Sequence, residues 1–212
     1  LAGPHSVEVA AADGSRRTLS TRFVMIATGS VPRDIRVAPS NGTTILNPDH
    51  ILEMERVPKS IVVLGAGAVG TEFASVFRSF GSDVTLVEML PRILPIEDEE
   101  VSKELERQLK KRGMKVMTSS QLTKAEPHDG GVKVTLQQGE KESELDVEVL
   151  LVAVGRAPVT EDIGLDKAGL EKAKEGLAGL EAGIAKATDQ FKGGADDRGL
   201  RDARALEAEL AL

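Results

Sequence analysis

The spacing of hydrophobic positions changes along the chain, and each change marks a different kind of element. Alternation comes first. SVEVAA at 6–11 and RRTLSTR at 16–22 flank the dipeptide Asp13-Gly14, a pattern that predicts a β-hairpin. FVMIATGS at 23–30 is a continuous apolar run ending at Gly29 and Ser30, which predicts a strand buried on both faces. A hairpin with nothing before it to cover it is expected of a chain cut from something longer. Residues 31–59 carry Pro32, Pro39, Pro48 and Pro58 and read as a connector with a short helix near PDHILEM.

A regular unit follows. SIVVL at 60–64 predicts a buried strand. Residues 68–80 predict a helix with Phe73, Val76, Phe77 and Phe80 on its inner face, closed by Gly81. DVTLVE at 83–88 predicts the next strand. Asp98 can cap a helix running to Arg112, with Val101, Leu105 and Leu109 inward and the pairs Glu99–Lys103 and Glu106–Lys110 on the wet side. Gly113 ends it, and KVM at 115–117 predicts a third strand. A βαβαβ order implies parallel strands joined by right-handed crossovers. The period then falls to two near 120–126, 132–138 and 142–146, with turns at HDGG and GEK. That pattern predicts an antiparallel meander, after which VLLVAVG at 149–155 returns as a buried strand. Beyond it, Leu170, Ala173, Leu177, Leu180, Ile184, Ala187 and Phe191 form a heptad-like stripe. Gly176, Gly179 and Gly183 interrupt the stripe at about 1 kcal/mol each relative to Ala. Leu200, Ala203, Leu206 and Leu210 suggest a second helix after Gly193-Gly194.

Composition narrows the function classes. The 212 residues are 41% hydrophobic and 29% charged, which is globular. With five Phe, no Tyr and no Trp, the core must be built from Val, Leu, Ile and Ala. A net charge of −7, from 27 basic and 34 acidic residues without a basic block, argues against a nucleic-acid or anionic-membrane surface. VLLVAV is far too short to span a bilayer, and no signal peptide opens the chain, so a cytoplasmic location is expected. There is no cysteine, which excludes a disulfide framework, a thiolate metal site and any thiol chemistry by this chain alone. His5, His50 and His128 sit among turn residues and read as surface side chains; no metal site is expected.

The chemistry concentrates in VVLGAGAVGTEFASVF at 62–77. Gly65 can take the backbone angles of a tight strand-to-helix turn. Gly67 lets a pyrophosphate approach the backbone, and Gly70 lets the helix pack close to the strand. The helix N-terminus then offers N–H groups and partial positive charge to phosphates. Glu88 ends the second strand 18 residues beyond Gly70. There a carboxylate can accept both ribose hydroxyls and repel an extra 2′-phosphate. Glu72 has two readings: a first-turn charge complementing the helix dipole, or a group beside the nicotinamide.

Three separated motifs, IATGSVPR, PKSIVVLGAGAVGTEFASVFRSFGSDVTLVEMLPRILPIEDEE and LLVAVGRAPVTEDIGLDKAGL, occur in the order and spacing of a known family. Over residues 4–170 the chain resembles dihydrolipoyl dehydrogenases, of the flavin disulfide reductase family. The resemblance implies an α/β fold, a Rossmann-like NAD-binding domain with an antiparallel β-meander and a partial FAD-domain β-segment, to which the apolar stripe adds a helical C-terminal tail. It implies residues 1–36 as the FAD-domain segment, 37–59 as a connector and 60–155 as the NAD domain. Residues 156–170 would start a returning FAD-domain segment, and 171–212 a tail matching nothing in the family.

The resemblance also assigns roles. Gly65, Ala66, Gly67, Ala68, Val69, Gly70, Thr71 and Glu72 would be the NAD phosphate loop and the acid beside the nicotinamide. Glu88 would be the ribose acid, Leu122 a backbone neighbour of the adenine, and Gly155 a contact near the nicotinamide half. Thr28, Gly29 and Ser30 would touch FAD. The family's first FAD loop and redox cysteine pair would lie upstream of Leu1, and its interface domain downstream. The implied partners are a nicotinamide dinucleotide and either the complementary parts of the flavoprotein or a second copy. The implied class is an oxidoreductase carrying electrons from dihydrolipoamide through FAD to NAD. The chain alone is expected to be inactive for want of the cysteine pair. The rival reading is a non-catalytic Rossmann module.

Overall fold

In the computed structural model, which describes residues 1–170, the chain separates into two compact units. Among the described residues, one is built on residues 1–30 and 158–170, the other on residues 31–157. The stripe expected beyond Leu170 lies outside the described residues.

The first unit contains the expected hairpin, β1 (Ser6–Ala10) against β2 (Arg16–Ser20), antiparallel with Val7 opposite Leu19. The expected strand at 23–30 does not form. Phe23 is 60% exposed and Met25 90%, and the next strand, β3 (Ser30–Pro32), falls mostly in the second unit. A strand buried on both faces needs a neighbouring strand on each edge and a covering layer on each face. The described residues of this unit supply neither to 23–29.

The second unit contains the parallel sheet. It opens with β4 (Ile45–Leu46), a strand inside the stretch read as a connector, and α1 (Pro48–Leu52). The Asn47 side chain caps α1 by accepting from Asp49 and His50 N–H, and His50 Nδ1 accepts from the Asn47 N–H. The helix thus has a reciprocal cap at its N-terminus, with Pro48 at its first position. Then come β5 (Ser60–Leu64), α2 (Ala68–Ser79), β6 (Asp83–Val87), α3 (Glu99–Lys111) and β7 (Lys115–Met117). The meander is β8 (Gln121–His128), β9 (Gly131–Gln138) and β10 (Lys141–Val147). After it β11 (Val149–Val152) re-enters the sheet, and β12 (Arg156–Pro158) pairs with β3. A 3-10 turn at Asp166–Ala168 closes the described chain.

The main sheet is parallel, in the order β4-β11-β5-β6-β7. Strand alternation divides its side chains between two cores. Ile61, Val63, Leu86 and Leu151 face α2 and α3, joining Ala74, Phe77 and Leu109. Val62, Leu64, Val87, Leu150 and Val152 face the meander, joining Leu122, Val132, Val134 and Leu136. The unit is therefore three-layered: helices, parallel sheet, antiparallel sheet. Both faces of the central strands are covered, which is why SIVVL and VLLV are apolar without alternation.

Two helix faces differ from expectation. On α2 the buried positions are Gly70, Thr71, Ala74 and Phe77, while Val76 and Phe80 are exposed. Gly70 draws the helix so close to the sheet that small residues fill the contact. On α3 the buried positions are Ser102 and Leu109, with Leu105 half-buried and Val101 outward. The charged side of α3 is as expected: Lys103 Nζ lies 2.5 Å from Glu99 and Lys110 Nζ 2.6 Å from Glu106. Asp98 caps α3 by accepting from Glu100 and Val101 N–H.

Candidate dinucleotide-binding site

The chain leaves β5 and climbs to β6 and then β7 on one side, while β11 is laid on the other side of β5. Crossovers leave in opposite directions at this point, so a crevice opens beyond the carboxyl ends of β5 and β11. The loop 65–67 stands there.

Each glycine of the loop has its own requirement. Gly65 has φ of +97°, and a Cβ on it would lie 2.5 Å from the Ala153 carbonyl oxygen beyond β11. A Cβ on Gly70 would lie 1.9 Å from the Gly65 carbonyl oxygen. Both are therefore fixed by backbone closeness and conformation. Gly67 is different. Its φ is −70°, open to any residue, and apart from its own chain neighbours no protein atom lies within 4 Å of where its Cβ would be. The space before Gly67 is vacant, and no side chain caps α2. The first-turn N–H groups of Ala68, Val69 and Gly70 consequently point outward without intrahelical acceptors. Vacant space in front of an uncapped helix N-terminus fits a pyrophosphate.

Glu88 is only 9% exposed and stands at the end of β6. Its Oε2 accepts the Ala66 N–H at 2.7 Å and its Oε1 accepts the Leu90 N–H at 2.9 Å. An ionised carboxylate has about four acceptor positions, so two are used within the protein and two remain for hydroxyls. The acid is thus attached to the glycine loop itself. The Ala66 carbonyl accepts from Leu94 N–H at 2.8 Å and from Thr71 Oγ1 at 3.3 Å. Glu72 is the fifth residue of α2, past its first turn, and is exposed. The helix-dipole reading of Glu72 loses its basis, because that effect fades beyond the first turn.

Gly155 has φ of +111° and its carbonyl accepts the Arg33 N–H at 2.9 Å. It follows Ala153, whose carbonyl oxygen approaches Gly65 and whose N–H donates to Leu64 O at 2.8 Å. Leu122 lies in β8 with its side chain in the core beneath the sheet, so only its backbone is available. Ser120, just before it, donates its N–H to Glu88 O at 2.9 Å. The structure thus gathers the loop, Glu88 and Gly155 at one end of the parallel sheet.

Thr28, Gly29 and Ser30 belong to the first unit and are exposed. The Thr28 hydroxyl donates to the Val159 carbonyl, and Val159 N–H donates to Gly29 O at 2.9 Å. Among its described residues this unit has no α-helix and no glycine-rich strand-to-helix loop. These residues alone do not make a flavin cradle. Among the described residues there is no group of three His, Cys, Asp or Glu able to hold a metal ion, and no helix long and apolar enough to cross a membrane.

Sequence reasoning missed two contributors, Leu94 and Ser102. Leu94 carries its bond to the loop on a residue with φ of +44°, and the Ser102 hydroxyl donates to Leu94 O at 3.1 Å. Neither has a signature in the sequence: one contact is a backbone amide meeting Ala66 across the fold, the other a serine hydroxyl on a backbone carbonyl.

Residues 2–183 match the family model of the pyridine nucleotide-disulphide oxidoreductases. Dihydrolipoyl dehydrogenase 3 of Pseudomonas aeruginosa is 38% identical over 179 residues, covering 84% of this chain and 38% of that protein. Dihydrolipoyl dehydrogenase of Mycobacterium tuberculosis is 40% identical over 158 residues, covering 74% and 34%. The chain thus spans little more than a third of the length of these relatives. Among solved structures, LpdA of Mycobacterium tuberculosis superimposes with a TM-score of 0.72 at 28% identity, over 80% of this chain and 36% of that one. The HOCl-induced flavoprotein disulfide reductase RclA of Escherichia coli gives 0.66 at 26% identity, over 83% and 39%. With a family model covering most of the residues, the chain belongs to the pyridine nucleotide-disulphide oxidoreductase family, with relatives of the dihydrolipoyl dehydrogenase type.

Proposed function

We propose that the parallel-sheet unit is the NAD(H)-binding portion of a dihydrolipoyl dehydrogenase-like flavoprotein oxidoreductase. Members of the family use FAD and NAD. The observation that carries the reading is the vacancy at Gly67 beside an uncapped helix N-terminus, with Glu88 bound to the same loop. In this reading the N–H groups of Gly67 through Gly70 hold the pyrophosphate. The free acceptor positions of Glu88 take the adenosine ribose hydroxyls. Exposed Val69 and Glu72, with the Gly155 backbone, line the nicotinamide half, and the Leu122 backbone borders the adenine. NAD, when bound, supplies the hydride-accepting ring; the residues here bind and orient it.

A like charge facing a 2′-phosphate disfavours NADPH. At a few ångströms, Coulomb repulsion near a protein surface is on the order of 1–4 kcal/mol, so NADH is expected to bind roughly tenfold or more tightly. Fluorescence titration of the intact chain with both nucleotides tests this. Equal or tighter NADPH binding would remove Glu88 from the ribose site.

One observation favours the rival, a non-catalytic dinucleotide-binding module: the chain has no cysteine. Electron transfer from a dithiol requires a thiolate partner, which this chain by itself does not have. Protein that binds NADH and purifies without flavin colour supports the module. Protein that purifies yellow supports an oxidoreductase assembled with complementary parts.

A further inference from the structure

Ser102 is a buried polar side chain with no place in the proposed site. It sits in the first turn and a half of α3 and is 1% exposed. Its hydroxyl donates to the Leu94 carbonyl at 3.1 Å. Leu94 holds a left-handed backbone, φ +44°, a conformation that costs a branched side chain on the order of 1 kcal/mol or more. Surrounding contacts must impose it. Ile93 beside it is fully buried in the helix-side core, Glu97 N–H donates to the same Leu94 carbonyl at 3.0 Å, and Ser102 supplies the third constraint. The outcome is that Leu94 N–H meets the Ala66 carbonyl at 2.8 Å. The Ala66 N–H is meanwhile held by Glu88 at 2.7 Å.

The peptide units on both sides of Ala66 are therefore fixed. The Ala66 carbonyl and the Gly67 N–H belong to one planar peptide, so a bond made to one orients the other. We infer that Ser102, acting through Leu94, is a positioning residue that aims the Gly67 N–H at the pyrophosphate. The inference rests on the dinucleotide reading of the loop. It adds a link from α3 to the loop that the glycine pattern does not contain. Such pre-organisation strengthens binding by removing the cost of ordering the loop when the ligand arrives.

The test is Ser102→Ala, which keeps helix propensity high and removes only the hydroxyl. NADH is titrated by fluorescence; ADP-ribose and adenosine are measured by competition, with melting curves alongside. One buried hydrogen bond corresponds to about a three- to tenfold change in an equilibrium constant. The expected result is that loss for NADH and for ADP-ribose, which carry the pyrophosphate, with adenosine affinity changed less than about twofold. A purely structural role would weaken all three alike or none, and either result overturns the inference. The wild-type amide of Leu94 offers a second measurement independent of whether the variant folds. Its hydrogen exchange should be slow and should slow further with NADH; exchange as fast as an open loop, with no response to NADH, overturns the inference. Wild-type protein that fails to bind NADH overturns the dinucleotide reading and this inference together. Wild-type binding with an unaltered Ser102→Ala profile overturns the inference alone.

Discussion

Gly70→Ala and Gly67→Ala are the same chemical change, a single methyl three residues apart, and the structure assigns them opposite consequences. A Cβ at Gly70 would stand 1.9 Å from the Gly65 carbonyl oxygen and 3.4 Å from Val63 Cγ1. Relieving the first contact needs a shift of more than an ångström in either the loop or α2. Both are packed: Thr71 and Ala74 are buried against the sheet, and Gly65, at φ +97°, is held by its N–H donating to Val87 O at 2.8 Å. Overpacking of this kind costs about 1–3 kcal/mol or more, and the gain from replacing a helical Gly by Ala returns only about 1 kcal/mol. The net loss of up to roughly 2 kcal/mol corresponds to a fall in Tm of up to about 8 °C for a unit of this size. At Gly67 the methyl enters empty space with an ordinary φ, so stability should change by less than about 0.5 kcal/mol. The vacant volume is where the pyrophosphate is proposed to sit, so binding should fail. Thermal melts and NADH titrations on both variants check the pair. Equal Tm losses, or a Gly67→Ala protein that binds NADH as well as wild type, would refute the division of labour within the loop.

Two further outcomes are expected. The chain alone, supplied with FAD, should not reduce NAD from dihydrolipoamide, because it has no cysteine to exchange with the dithiol; nicotinamide absorbance reads this directly, and measurable turnover would refute it. His128, whose Nε2 lies 2.8 Å from Asp146 Oδ1, has its pKa raised above 6.5, first by that hydrogen bond and then by the Asp129 carbonyl. The folded value exceeds the unfolded one, so the contribution of this contact between the end of β8 and β10 is present below pH 6.5 and is lost as pH rises through the raised value. NMR titration of His128 should show this, and Asp146→Asn should return it toward the ordinary range; an unaltered titration in the variant would refute the pairing.

The order of elements was legible wherever local pattern and tertiary environment agreed. The parallel strands, both long helices and the three-stranded meander stand where apolar runs, caps and turns place them. The pattern failed where one segment's environment depends on another. FVMIATGS has the composition of a central strand, yet composition specifies what a strand would bury and not whether a sheet is there to receive it; residues 23–29 form no strand. Ile45–Leu46 is too short to show a period, and it becomes a strand because β11 offers it an edge. Spacing put Phe73, Val76, Phe77 and Phe80 on the inner face of α2; Phe77 is buried and Phe73 packs against the core, but Val76 and Phe80 are outward. Next to the loop, the close approach that Gly70 allows places Thr71 and Ala74 on the buried face instead.

The site divides along the same line. Its glycines were readable because their function is the absence of a side chain, and that absence is written in the sequence. Gly65 and Gly70 prove to be required by protein backbone, at 2.5 and 1.9 Å from carbonyl oxygens, and Gly67 by nothing in the protein. A glycine that the fold does not need is the strongest pointer to an external ligand in the loop, and only coordinates can separate it from its neighbours. Glu88 was readable from its position at a strand end, but its second task was not. By accepting the Ala66 N–H it ties the side chain proposed for the ribose to the loop proposed for the phosphates, so in this reading selectivity and loop geometry share one carboxylate. A Glu88→Arg exchange would therefore disturb both at once, because arginine has no acceptor for the Ala66 or Leu90 N–H groups. Glu88→Gln keeps an acceptor oxygen and removes the charge. It separates the two tasks, since any rise in NADPH affinity then reports the charge rather than a collapsed loop.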